Sequence, residues 1–261
     1  MAETAGTTQT ALPTQPLLAT QALSKSFGGL PAVRDVSITL ARGELHAVIG
    51  PNGAGKSTLI NLLAGEVAPS AGRILLDGVD ITAHSVQARA PMGLARSFQR
   101  TDIFGSLTVL ENVRLAVQAV ALPARRLLRP PHAEPMLVAR AIAALERAGL
   151  PHGHQRLAGT LAHGQQRQLE IAMTLASAPK VLLLDEPLAG MGPEESARMV
   201  ALLKSLAEDH AILLIEHDMD FVFKVADRLT VLVEGRVLAT GKPADVRTDR
   251  AVQSAYLGGH A

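Results

Sequence analysis

The chain has 261 residues, 48% of them hydrophobic and 19% charged, with a net charge of +1 at pH 7. This is a globular rather than a disordered composition, and it offers no basic field for nucleic acid. Cysteine is absent, which excludes a disulfide scaffold and a thiolate metal site.

Residues 1–16, rich in Thr, Ala, Gln and Pro, lack the basic and apolar regions of a signal peptide and read as a flexible tail. From Leu17 to Leu40 apolar and polar residues alternate around Gly28–Gly29, which predicts antiparallel strands. Leu45 to Ile49 is a short apolar run entering a glycine-rich loop, and Ser57 to Ala64 has helical spacing. Arg73 to Leu76 with Asp77–Gly78 reads as a further strand and turn. The stretch from about Leu107 to Ala176 has no strand-like runs and reads as helices, broken by a Pro-rich segment at 123–135 and by Gly149 to Gly153. Within it, Arg125, Arg126 and Arg129 beside Pro130 and Pro131 read as a solvated loop. Strand-like runs return at Val181 to Leu184 and Ala211 to Ile215, each followed by a helical stretch. Leu229 to Val233 and Arg236 to Ala239, joined by Glu234–Gly235, form a terminal hairpin. No apolar run reaches the ~20 residues of a spanning helix, so the expectation is a soluble cytoplasmic chain, for which any membrane role would have to come through a partner.

The strongest motif is Gly50-Pro51-Asn52-Gly53-Ala54-Gly55-Lys56-Ser57, a full G-x-x-x-x-G-K-[ST] match between a strand and a helix. Glycines let backbone N–H groups turn inward around phosphates, and the positive end of the following helix adds to that field. Lys56 supplies a point charge and the Ser57 hydroxyl a ligand for Mg²⁺. Downstream, Val181 to Leu184 ends in Asp185 and Glu186. The first suits a metal partner and the second suits orienting an attacking water, work worth typically ~10²–10⁴-fold. The bland alternative is an acidic pair that caps the segment after Pro187. Taken alone, Gln99 reads as an ordinary loop glutamine and His217 as a structural strand-end histidine, rather than as catalytic groups.

The run Leu161-Ala162-His163-Gly164-Gln165-Gln166-Arg167-Gln168 changes their weight. With Gly50 to Ser57, Gln99, Asp185, Glu186 and His217 in that order, the chain resembles the nucleotide-binding subunit of an ABC transporter over about residues 17–258. The resemblance implies an α/β fold: a P-loop NTPase (RecA-like) core with an N-terminal antiparallel β subdomain and an inserted α-helical subdomain at about 100–177. It further implies two subunits holding two ATP molecules head to tail, with Mg²⁺. Lys56, Gln99, Glu186 and His217 take the catalytic roles, and Ser57, Gln99 and Asp185 the metal. The nucleotide falls to Phe27 stacking on adenine, Val33 beside it, and Gly50 to Thr58. Ala162, His163, Gly164 and Gln165 serve the ATP of the other subunit in trans.

Two departures stand out. The family signature usually reads L-S-G-G-Q, whereas here Ala162 replaces the serine and His163 the first glycine. Loss of one charge-assisted hydrogen bond costs about 1.5–3 kcal/mol, which weakens such a site without abolishing it. The loop Ala189-Gly190-Met191-Gly192 also ends in glycine where most members carry Asp, removing the usual cross-dimer carboxylate.

Finer wording is similar to the branched-chain (hydrophobic) amino-acid uptake branch. It includes Gly93 to Gln99, Leu107 to Val113, Gly164 to Ala172, Ile215 to Met219 and Ala255-Tyr256-Leu257-Gly258. The implied partners are membrane-embedded permease subunits, a second ABC ATPase subunit (a sister chain or a copy) and, indirectly, a periplasmic substrate-binding protein, with no nucleic acid. The implied place is the cytoplasmic face of the membrane. Urea and amide importers and some lipopolysaccharide-exporting ATPases share much of this wording. A soluble ABC ATPase acting on nucleic acid or ribosomes usually carries two modules, coiled coils or zinc insertions, none of which occurs here. A binding-only subunit is disfavoured by intact Lys56, Asp185, Glu186 and His217.

Overall fold

The computed structural model describes residues 15–97, 102–121 and 135–257. Most of the N-terminal tail, Gln99, the Arg125–Arg126–Arg129 cluster and Gly258 lie outside the described residues.

Strand β1 (Leu18–Phe27) pairs antiparallel with β2 (Leu30–Val36) across the Gly28–Gly29 turn, and β3 (Thr39–Leu40) adds to β1. Strand β4 (Leu45–Ile49) leaves for a second sheet and runs through the glycine-rich loop into helix α1 (Lys56–Ala64). The chain then returns as β5 (Ala71–Leu76), beside β1, and β6 (Val79–Asp80) at the edge. A one-turn helix α2 (Val86–Arg89) precedes β7 (Leu94–Arg96). Helices α3 (Val109–Ala121), α4 (Pro135–Arg147) and α5 (His163–Leu175) pack against one another. Next come β8 (Val181–Asp185), α6 (Pro193–Ala207), β9 (Ala211–Ile215) and α7 (Met219–Val225). The hairpin β10 (Arg228–Val233)–β11 (Arg236–Gly241) and helices α8 (Pro243–Thr248) and α9 (Arg250–Leu257) close the chain.

Among the described residues the strands form two sheets. One is antiparallel, in the order β2-β1-β5-β6 with β3 against β1; the other runs β11-β10-β4-β9-β8-β7. In the second sheet β10, β4, β9, β8 and β7 are mutually parallel. A parallel sheet is covered on both faces, so its strands read as continuous apolar runs, and every residue of β4, β8 and β9 is buried. Alternate side chains serve two cores. Ala47, Ile49, Leu182, Leu184, Ile212 and Leu214 face the core shared with α3 to α7. Val48, Leu183, Leu213 and Ile215 face the core shared with α1 and the antiparallel sheet. The phosphate loop thus leaves a strand held from both sides.

Two strands are absent from the sequence expectation, the two-residue β6 at the edge of the first sheet and β7 in the second. Leu94–Arg96 is only three residues long and half-buried at Ala95 and Arg96, yet it pairs parallel with β8. It is an edge strand too short to show a period.

α1 is capped at its far end by Arg89. Its Nη1 donates to the carbonyls of Leu62 and Leu63 at 2.7 and 2.6 Å, Nη2 to Thr82 at 3.1 Å and Nε to His84 at 3.0 Å. The last carbonyls of a helix have no intrahelical partner, and a buried guanidinium answers them while complementing the dipole.

Candidate nucleotide site

β4 delivers Gly50 to the edge of the sheet, and α1 begins six residues later at Lys56, with Gly55 as its N-cap at φ +97°. A Cβ at Gly55 would stand 2.3 Å from the Ala32 carbonyl oxygen, and one at Gly50 would stand 2.2 Å from that of Leu232. The loop is therefore clasped between the backbones of β2 and β10 and tolerates only glycine at these contacts. The Ala54 carbonyl accepts from the N–H of Gly235 at 3.0 Å, which fixes the loop's outer wall. An open cavity of about 360 Å³ is lined by Ala32, the segment from Asn52 to Thr58 and Glu186.

Inside it, Lys56 Nζ donates to the carbonyls of Gly50 at 2.6 Å and Pro51 at 3.1 Å. Burial pushes the Lys56 ammonium below the usual lysine range, while the nearby Glu186 and Asp185 carboxylates oppose that shift. A half-buried cation in a glycine-rich loop at a helix N-terminus suits a polyphosphate. The fit is therefore good: the Lys56 cation lines the cavity, together with the hydroxyl-bearing residues Ser57 and Thr58. Among the described residues no cluster of three or more His, Asp or Glu stands ready to hold a metal alone.

Glu186 enters the cavity from the end of β8. Its φ is +48°, unusual for a residue with a Cβ. The Glu186 N–H bonded to the Ile215 carbonyl at 2.9 Å holds that conformation. His217 Nδ1 lies 3.8 Å from Glu186 Oε1, and the histidine is largely exposed. Asp185, one residue earlier, is buried and is not among the residues that line the cavity. Its carboxylate accepts from Arg96 Nη2 at 3.1 Å, and Arg96 Nη1 reaches Asn61 Oδ1 at 2.6 Å and Glu66 Oε1 at 2.9 Å. Burial raises the Asp185 carboxyl above the usual range, and Arg96 partly offsets this. The structure thus joins Asp185 to α1 through an arginine.

Other expected residues fall in different places. Phe27 is 50% exposed at the tip of the β1–β2 hairpin, with Lys25 Nζ 5.0 Å from its ring centre. Val33 is 1% exposed and packed in the core. The β2 residue that lines the cavity is its neighbour Ala32. Ala162, Gly164 and Gln165 open α5 and line a separate cavity of about 480 Å³ with Met191 and Glu195, sharing no described residue with the phosphate-loop cavity. Gln99 lies outside the described residues.

Glu216 and Arg96 carry no role in the sequence reading. The buried Glu216 carboxylate accepts from the N–H groups of Leu188 at 3.2 Å and His217 at 3.1 Å. It ties the loop after Glu186 to the turn that carries His217, and burial raises its carboxyl above the usual range. An acid directly after an apolar strand, before His217, is the signal that marks it.

The strand, glycine loop and helix, with a basic residue and a strand-end acid in one cavity, define a P-loop nucleotide triphosphatase. A family described as ABC transporter matches residues 33–189, and one described as branched-chain amino acid ATP-binding cassette transporter matches residues 236–261. The high-affinity branched-chain amino acid transport ATP-binding protein LivG of Salmonella typhimurium is 41% identical over 94% of this chain and 98% of its own length. BraF of Pseudomonas aeruginosa, of the same description, is 38% identical over 94% of this chain and 98% of its own. An ATP-binding cassette of an ABC transporter solved in its ADP conformation superimposes with a TM-score of 0.84, at 32% identity over 94% of this chain and 100% of that one. The chain belongs to the ABC transporter ATP-binding family.

Proposed function

We propose that this chain hydrolyses ATP as the motor subunit of an importer for branched-chain or other hydrophobic amino acids. The observation that carries the reading is the cavity in which Lys56 and the strained Glu186 face the same inward-turned loop. Residues 17–258 act in this reading as one ATPase domain, with the helical part at about 100–177 facing permease subunits at the cytoplasmic side of the membrane. Among the described residues no helix is long and apolar enough to cross a membrane. The amino-acid branch draws support from LivG and BraF and from the C-terminal match at 236–261. A periplasmic binding protein completes the system in this reading.

Lys56 and the loop amides hold the β- and γ-phosphates, with Phe27 offering a stacking face for the base. Ser57 and Asp185 are the described residues that serve Mg²⁺, joined in this reading by Gln99. The ion supplies charge neutralisation on the phosphates. For Asp185 that role requires its carboxylate to be shared with Arg96. Glu186 accepts a proton from the attacking water, and His217, beside it, contacts the γ-phosphate. The partner's Ala162 to Gln165 segment closes the site.

Glu186→Gln tests this. ATP binding should stay within a few-fold of the parent, while turnover falls at least ~10²-fold, the usual size of a lost general base. Calorimetry and phosphate release measure the two. Full turnover by the variant removes Glu186 from the base role.

A further inference from the structure

The signature helix α5 begins without a cap of its own. Its N-cap position is Ala162, which has no side-chain oxygen to accept from the first free N–H groups, where Ser, Thr, Asp or Asn ordinarily do so. The acceptor comes instead from another helix. Glu195, in the first turn of α6, accepts from the N–H of Gly164 through Oε1 at 3.2 Å. Its second oxygen, Oε2, accepts from the N–H of Gly192 at 3.3 Å. Gly192 is the residue where the family's usual aspartate is missing, and as a glycine it returns no side-chain bond to α6.

The approach is close. A Cβ at Gly164 would stand 2.6 Å from Glu195 Oε1 and 2.8 Å from its Cδ, so glycine here makes room for the carboxylate. The neighbouring departure packs in the same region: a Cβ on Gly190 would stand 3.3 Å from His163 Cε1. One anion therefore sits between two helix N-termini, where the dipoles of both favour it.

We propose that Glu195 is a positioning residue that supplies the cap Ala162 cannot and fastens the signature loop to the 189–192 loop. Through it, the segment after Glu186 and the α5 N-terminus move as one unit. For its catalytic consequence the proposal rests on the ATPase reading above, since α5 then serves the ATP of the facing subunit. Glu195 is not among the residues lining the phosphate-loop cavity, and its bonds go to Gly164 and Gly192, so its removal acts on turnover and not on the chain's own nucleotide affinity.

The test uses Glu195→Ala and Glu195→Gln in the full chain, each with and without Ala162→Ser. Amide hydrogen exchange at Gly164 and Gly192 is followed without nucleotide, together with ADP affinity and steady-state ATP hydrolysis. In Glu195→Ala both amides should exchange at least tenfold faster, ADP affinity should stay within twofold, and kcat should fall fivefold or more. Glu195→Gln, which keeps the shape but one acceptor oxygen, should leave one of the two amides protected. Adding Ala162→Ser to Glu195→Ala should restore protection at Gly164 and bring kcat back to within twofold of the parent, a rescue that a general folding defect would not show. Unchanged exchange at both amides, a smaller fall or a rise in kcat, or failure of the serine to rescue overturns the proposal. A parent chain without any ATPase activity overturns the functional reading instead, and the exchange experiment still decides the bridge.

Discussion

A buried histidine in β4 shows how a single residue near the phosphate loop sets a pH limit on the fold. His46 Nδ1 donates to the Thr39 carbonyl at 3.2 Å, Nε2 accepts from Thr230 Oγ1 at 2.8 Å, and Thr230 in turn bonds Thr240 at 2.8 Å. This chain of bonds suits the neutral ring. Burial lowers the His46 pKa from 6.5 to about 4; the Thr39 bond opposes the shift and the Arg228 charge adds to it. Between those two values the unfolded chain takes up a proton that the folded chain refuses, so stability falls as pH drops from 6.5 towards 4. The full effect is about 3 kcal/mol. His210, also pushed down by burial, adds in the same direction. Urea midpoints at pH 7.5 and 4.5 should therefore differ more in the parent than in His46→Gln, whose amide spans both partners without titrating. An equal pH response in the two proteins would show that His46 does not set the limit.

Glu186 illustrates a different residue-scale effect. Its left-handed backbone costs of order 1–3 kcal/mol, and the Ile215 carbonyl and the Glu216 carboxylate hold the surrounding loop against that cost. The motif pattern identifies Glu186 as an acid after an apolar strand. It says nothing of the strain, because that arises from a contact with a strand 29 residues away in sequence.

At the scale of elements, α1 depends on both of its ends. The loop glycines set the first and Arg89 the second. Replacing Arg89 by Ala removes a donor from the carbonyls of Leu62, Leu63, Thr82 and His84; Leu62 keeps the N–H of Gly65 at 3.2 Å, and each buried carbonyl left without a donor costs about 1–3 kcal/mol. We expect Arg89→Ala to lose about 3 kcal/mol or more in denaturant unfolding, and Arg89→Lys to recover little, because an ammonium lacks the planar fork. Looser nucleotide binding should accompany the loss in both variants. A variant within 1 kcal/mol of the parent would place the C-terminal support of α1 elsewhere.

The elements that sequence makes legible are those whose burial is periodic or complete. β4, β8 and β9 stand out as apolar runs because both faces are covered, and the Gly28–Gly29 and Glu234–Gly235 turns mark their hairpins. β7 escapes because three residues carry no period. Arg89, Arg96, Glu195 and Glu216 escape for another reason. Their partners lie 27, 89, 31 and 28 residues away, and a charged side chain bound for a buried contact looks in sequence like one bound for solvent. The family motifs point to the loop and its acids, whereas the braces between them emerge only from the folded chain.

At the scale of the whole molecule, the phosphate-loop cavity and the α5 N-terminus are separate surfaces of one chain. If each ATP needs both, hydrolysis must be a property of a pair of chains. Specific activity of the isolated protein should then rise with protein concentration at fixed saturating ATP, approaching proportionality at the dilute end where pairs are scarce. A mixing experiment sharpens this. Gly164→Asp places a second carboxylate against Glu195, where even a Cβ meets Oε1 at 2.6 Å. It leaves the phosphate loop intact, so the variant chain binds ATP but offers a spoiled signature loop to its partner. Alone, Gly164→Asp and Lys56→Ala should each release phosphate at less than about a tenth of the parent rate. Mixed in equal amounts they should recover about a quarter of it, because about half of randomly formed pairs are mixed and each mixed pair holds one complete site, the Gly164→Asp phosphate loop against the Lys56→Ala signature loop. No recovery on mixing, or activity independent of dilution, would mean that one chain completes its own active site.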